Sequence, residues 1–144
     1  MDEVKHLILK KKININAVNE FGETSLHLSA ISNAESEGRI LRFLLEHSAE
    51  VNKQTNYKYE GHDVVVRRSP LHWYVYSCDV VGVRELLRYG ADPLLVTEEE
   101  ENSIDIVQKL IKVTSEDHLL QRCREVLRLM KEETESKGER DNLL

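Results

Sequence analysis

The chain has 144 residues, 40% of them hydrophobic and 32% charged, which allows one domain with a continuous core and excludes a disordered chain. A net charge of −6 argues against a dedicated nucleic-acid binder, because neutralising phosphates takes clustered Lys and Arg. No apolar run approaches the roughly 20 residues of a membrane span, and Leu7-Ile8-Leu9 is cut short by Lys10-Lys11-Lys12, so neither a membrane partner nor a signal peptide is expected.

Taken in chain order, Val4, Leu7 and Ile8 mark a helical stripe that runs into the turn Ile13-Asn14-Ile15-Asn16-Ala17. Asn19-Glu20-Phe21-Gly22-Glu23 reads as a second turn, with Gly22 where a positive φ is commonly required. Thr24 caps the helix that follows. After a join at Ser32 to Gly38, Ile40, Leu41, Leu44 and Leu45 have the spacing of a buried helical face. Lys53 to Arg68 is turn-like and then β-branched at Val64-Val65-Val66, which predicts an extended hairpin.

Two segments then repeat. Thr24-Ser25-Leu26-His27-Leu28-Ser29-Ala30 returns, loosened, as Ser69-Pro70-Leu71-His72-Trp73-Tyr74-Val75, and the turn Leu44 to Asn52 returns as Leu86-Leu87-Arg88-Tyr89-Gly90-Ala91-Asp92-Pro93. A third, degenerate copy follows at Asn102-Ser103-Ile104-Asp105-Ile106-Val107, with Asp105 in the histidine slot. Beyond a break at Thr114-Ser115, Leu119, Cys123, Val126, Leu127 and Met130 form an apolar stripe, with Arg122, Arg124, Glu125, Arg128 and Lys131 opposite.

These motifs resemble the ankyrin repeat, a β-turn and two antiparallel helices opened by Thr-Pro-Leu-His-x-Ala. The resemblance implies an all-α fold, an ankyrin-repeat α-solenoid of stacked helix-turn-helix units with β-turn or hairpin connections. Residues 1–17 are then an N-terminal half-repeat, 18–52 a repeat, 53–68 an extended inserted hairpin or loop, and 69–93 the remainder of the second repeat. Residues 94–135 form a degenerate capping repeat with a C-terminal helix, and the polar tail 136–144 is expected to be disordered. Equivalent exit-turn positions Ile15, Val51 and Pro93 lie 36 and 42 residues apart, against a family period of roughly 33. The first excess falls in the Ser32–Gly38 join and the second in the 53–68 segment, where insertions often mark a binding face. Tyr74 stands where such repeats keep small residues, so local splaying is expected.

Chemistry has few candidates. His27 and His72 occupy the motif histidine, which the resemblance implies ties one turn to the next. His6, His47 and His118 have no partner at ligand spacing, and zinc needs about four Cys or His ligands. No Gly-rich phosphate loop, nucleophile elbow or His-Glu-x-x-His run is present, so no catalytic residue, metal, cofactor or small-molecule substrate is expected, and the chain should not be an enzyme. Cys78 and Cys123 are too few for a disulfide framework; free thiols in a reducing compartment, cytoplasmic, nuclear or both, are the expectation.

The resemblance implies instead a protein-binding scaffold or adaptor that grips another protein or a peptide segment. Contacts in that family come from turn tips and the exposed ends of first helices. Here those are Phe21, Glu23 and Ile31, then Val66, Arg68 and Tyr76, then Glu98, Glu99 and Glu101. The residues themselves add a cluster of Trp73, Tyr76, Tyr57 and Tyr59 beside Arg67 and Arg68, with His62 in the same insertion, all types enriched at binding hot spots except the last. Two other roles fit the same surface: a regulatory or inhibitory subunit of an enzyme such as a kinase or phosphatase, and a peptide-recognition domain of a larger protein.

Overall fold

The computed structural model describes residues 3, 14–36 and 38–143, excepting the side chains at 33–36. The stripe of Val4, Leu7 and Ile8, and most of the half-repeat at 1–17, lie outside the described residues. The described elements are α1 (Ser25–Ser36), α2 (Arg39–Glu46), β1 (Tyr57–Lys58), β2 (Val65–Val66), α3 (Pro70–Tyr76), α4 (Val80–Arg88), α5 (Ser103–Val113) and α6 (Asp117–Asn142). Helices pair in sequence order, α1 with α2, α3 with α4 and α5 with α6. The first members stack α1 on α3 on α5, and the second members stack α2 on α4 on α6. One core runs between these two rows: Leu26, Leu71, Val75 and Val107 come from the first row, and Leu41, Leu44, Val83, Leu86, Val126 and Met130 from the second, all fully buried.

Local chemistry sets the helix starts. Ser69 caps α3 by accepting from the His72 N–H, and Pro70 follows at the first helical position, where its missing N–H removes no bond. Asp79 caps α4 through a 3.0 Å bond from Gly82 N–H. Asn102 and Asp105 cap α5 reciprocally, each side chain accepting from the other's backbone N–H at 2.9 and 3.1 Å.

Between units, asparagines join successive exit turns. Asn16 accepts from Glu50 N–H at 2.7 Å, and Asn52 accepts from Asp92 N–H at 2.9 Å while donating to the Gly90 carbonyl at 3.1 Å. Gln54 reaches across in the same sense to the Val96 carbonyl at 2.8 Å.

Three features differ from the sequence expectation. The Ser32–Gly38 join is not a loop at its start: α1 continues to Ser36, because nothing in the sequence breaks it before Gly38, whose φ of 76° turns the chain. The tail from Ser136 is helical to Asn142, where Arg140 donates to the Ser136 carbonyl at 3.2 Å and pairs with Glu133 at 3.6 Å. Its run of Glu, Lys and Arg is helix-favouring as well as polar. Cys78 and Cys123, expected as free thiols, are joined in a disulfide with their Cα atoms 5.2 Å apart. They are 45 residues apart in sequence, and only the return of α6 against the second repeat makes them neighbours.

Tyr74 is seated by its neighbours. Its ring is fully buried, and its hydroxyl donates to Ser29 Oγ at 2.7 Å, since Ser29 itself donates to the Leu26 carbonyl. Burial pushes the phenol pKa well above its ordinary value, so it stays a donor. The room for the ring comes from α4: a Cβ at Gly82 would lie 2.2 Å from Tyr74 Cδ1. Gly82→Ala should therefore destabilise by about 1–3 kcal/mol through overpacking, outweighing the ~1 kcal/mol gain in helix propensity. Urea unfolding checks this, and Tyr74→Leu added to Gly82→Ala should recover part of the loss. An unchanged or higher midpoint for Gly82→Ala would mean that Tyr74 is not held against α4.

Candidate functional site

The site grows from the row of turns. Asn19 Oδ1 accepts from the Phe21 and Glu23 N–H groups, each at 3.0 Å, which shapes the first turn and turns Phe21 outward, 39% exposed. Gly22 takes φ 73°, and a Cβ there would lie 2.6 Å from the Asn56 backbone nitrogen. Only glycine lets the hairpin sit this close to the preceding turn. In the hairpin, Tyr57 pairs with Val66 and Lys58 with Val65. Partners directly opposite share a face, as do residues two apart, so Tyr57, Tyr59 and Val66 lie together. Phe21 meets Tyr57 edge-on at 4.8 Å, and Tyr57 meets Tyr59 edge-on at 4.7 Å.

Thr55 fastens the foot of the hairpin. Its N–H donates to the Arg68 carbonyl at 2.9 Å, and its hydroxyl accepts from Arg68 N–H at 2.9 Å and donates to the Val66 carbonyl at 3.2 Å. The same Arg68 carbonyl accepts from His27 Nε2 at 2.8 Å. Thr24 N–H donates to His27 Nδ1 at 3.1 Å, so Nδ1 is the bare nitrogen and the ring proton sits on Nε2. The second repeat copies this: Ser69 N–H donates to His72 Nδ1 at 2.8 Å, and His72 Nε2 donates to the Leu95 carbonyl at 2.9 Å. In the third unit Asp105 keeps only the backward half of the contact, to Asn102 N–H.

Arg68 also spans to the third turn. Its guanidinium donates to Glu98 Oε1 at 2.9 and 3.3 Å and lies 5.4 Å from the centre of the Tyr76 ring. Glu98 Oε2 accepts from Arg67 N–H at 3.1 Å. Burial opposes the Glu98 charge, yet backbone N–H groups and Arg68 hold its carboxyl below the usual carboxylate range. Burial likewise opposes the Arg68 charge, and the bond to Glu98 overrides it, holding the guanidinium above its ordinary pKa.

These elements border two adjoining open cavities. One, of about 350 Å³, lies between Phe21, Glu23, Thr55, Tyr57, Tyr59 and Val66; the other, of about 440 Å³, lies between Ala30, Ile31, Tyr76 and Ser77. Trp73 and Arg68 line both and form the ridge between them. Trp73 packs edge-on to His27 at 5.6 Å, and its indole N–H is buried with no acceptor among the described residues. Ile31 is 75% exposed at the far end.

The structure thus gathers Phe21, Glu23, Ile31, Tyr57, Tyr59, Val66, Arg68, Trp73 and Tyr76 around one groove. It divides the expected aromatic cluster, with Tyr57 and Tyr59 on one side of Trp73 and Tyr76 on the other. His62 sits near the hairpin tip, its ring 6.4 Å from Tyr59. Glu98 buttresses Arg68 from behind, while Glu99 and Glu101 line neither cavity; Glu101 is paired with Lys109. Thr55 and Ala30 were not legible as site residues, since neither type is a hot-spot former and only pairing across the hairpin or helix stacking places them. Among the described residues, no three His, Cys, Asp or Glu side chains converge to hold a metal, and no helix is long and apolar enough to cross a membrane.

Over residues 1–97 the chain matches the family model of ankyrin repeats, in three copies, and it belongs to the ankyrin repeat family. A 52-residue segment is 46% identical to palmitoyltransferase akr1 of Schizosaccharomyces pombe (strain 972 / ATCC 24843). That match covers 36% of this chain and 8% of the relative.

The histidine ties carry a pH dependence. Burial pulls the pKa of His27 and of His72 below the ordinary value, against the opposing pull of their carbonyl acceptors. The folded state therefore excludes protons that the unfolded chain takes up near pH ~6.5, so their stabilisation is full above that pH and is lost as pH falls below it. Urea midpoints should hold steady from about pH 8 to 7 and drop by about pH 5.5, before Glu98 begins to titrate. His27→Gln with His72→Gln should lower the midpoint at about pH 8 and flatten this slope. An equal slope in the variant would assign the effect to other groups.

Proposed function

We propose that this chain recognises an extended segment of a partner protein along the groove from Tyr59, over the Trp73–Arg68 ridge, to Ile31. Ankyrin repeats are generally protein-interaction modules, and the observation that carries the finer reading is the pair of adjoining cavities sharing Trp73 and Arg68. Each mixes apolar and aromatic side chains with Arg68, residue types enriched at binding hot spots. We read the row of turns and first helices as the concave side of an ankyrin solenoid, with the 53–68 hairpin extending it. The mechanism is rigid presentation: Arg68 is held by its carbonyl, its amide and its guanidinium, so little ordering remains to oppose binding. Binding, not catalysis, is the role, with the cytoplasm or nucleus as its place.

A second reading draws on the 52-residue match to a palmitoyltransferase. Here the groove selects proteins for an enzyme, as the recognition part of a longer chain or as a separate subunit.

Selection of linear peptides from a random phage-displayed library, followed by calorimetric titration of the best binder, tests the groove. Trp73→Ala and Ile31→Ser should each weaken binding about tenfold or more, a loss of ~1.4 kcal/mol, while Arg88→Ala, on α4 away from the groove, should not. Unchanged affinity in both groove variants, with helicity intact by circular dichroism, would move the interface elsewhere.

A further inference from the structure

The Cys78–Cys123 bond joins the turn between α3 and α4 to helix α6. Cys78 follows the α3 cap residue Ser77 and takes φ 48°, the left-handed conformation that costs least for glycine at a helix end. Ser48 and Gly90 take the same sign of φ after α2 and α4, and Gly90 is the low-cost solution. Cys78, like Ser48, holds this conformation without glycine's freedom, and its side chain is tied to Cys123. Cys123 lies on the stripe with Val126 and Met130 that seats α6, and all three are fully buried.

The bond is not the sole attachment of α6. Val126, Met130, Leu119 and Leu127 hold α6 to the core by apolar contact. Two buried thiols would pack in the same space as small hydrophobes. Both sulfurs are closed to solvent, at 1% and 0% residue exposure, so an attacking thiolate reaches them only when α6 lifts. The bond in turn restrains that lifting, so exchange is slow and the two forms are reached only by long equilibration. Because α6 is also seated by apolar contact, the thiol and disulfide forms of the same pair both fit the fold.

We propose that Cys78 and Cys123 form a reversible redox modification site, opened and closed by a small-molecule thiol–disulfide couple such as glutathione. Closing it takes two electrons and two protons from the thiols to one glutathione disulfide, forming the protein S–S bond and releasing two glutathione thiols through a mixed disulfide. In the closed state α6 is pinned to the end of α3, beside Tyr76 and Ser77 of the groove. In the open state the repeats stay folded and α6 opens locally.

The test equilibrates the full chain in buffers of graded reduced-to-oxidised glutathione ratio. Free thiols are then counted by alkylation under denaturing conditions and mass spectrometry, and amide hydrogen exchange is followed along α6. Expected are both redox forms across the series, unchanged helicity, and exchange in Leu119–Met130 at least tenfold faster in the reduced form. Cys123→Ser should match the reduced form and ignore the buffer ratio; should that variant misfold, the glutathione series alone decides. A bond closed at every ratio, thiols free at every ratio, unfolding on reduction, or equal α6 exchange in the two forms would each overturn the proposal.

Discussion

Several backbone groups in the turns between helices are satisfied by side chains of the preceding unit, and these ties set how one unit sits on the next. A buried carbonyl left unpaired costs about 1–3 kcal/mol, while a made bond returns only about 1 kcal/mol net. The sequence meets that demand with side chains that reach one unit forward. His27 serves the Arg68 carbonyl and His72 the Leu95 carbonyl; Asn16 and Asn52 serve the exit turns. Each histidine also accepts from the N–H of its own capping residue, and this leaves one possible tautomer. The turns are consequently set at fixed positions relative to one another by neutral groups, and a long insertion between two of them need not disturb the stack.

Arg68 is where this framework becomes a surface. Its carbonyl takes the tie from His27, its amide the tie from Thr55, and its guanidinium reaches Glu98 in the next turn. A cation that is only partly exposed would be costly alone, and Glu98 removes much of that cost by lying almost wholly buried behind it. The pair leaves the guanidinium face free to lie against Tyr76 and to separate the two cavities. One residue therefore links three turns and divides the groove. A contact surface built this way inherits the rigidity of the repeat stack.

The repeated motif made the helices, their caps and the histidine roles legible, because those depend on neighbours within a few residues. The hairpin was legible from Val64-Val65-Val66, whose β-branching suits a pleated strand. What sequence alone left hidden depends on contacts between distant segments. Gly82 looks like an unfavourable helix residue until the Tyr74 ring is placed against it. Thr55 is an ordinary polar residue until Arg68 returns to it across the hairpin. Cys78 and Cys123 show no spacing pattern, since α6 brings them together only after folding back. The tail was misjudged for a different reason: Glu, Lys and Arg are equally abundant in disordered tails and in exposed helices, and composition does not separate the two.

The C-terminal end follows from the same rule. Asp105 takes the histidine position but is too short to reach onward, and it keeps only the bond to its own capping residue. Leu94 stands where Asn16 and Asn52 stand in the earlier exit turns, and its side chain has no group to make a further tie. With forward bonding ended, the last helix pair needs another means of attachment, and α6 supplies it through side-chain burial instead of backbone ties. Cys123, Val126 and Met130 face inward, while Arg128 pairs with Glu125 and Glu132 on the wet side. Apolar contact is less directional than a hydrogen bond, so a helix held this way can lift where the tied turns cannot. A covalent bond at that point therefore adds an attachment that the repeat's own chemistry no longer provides there.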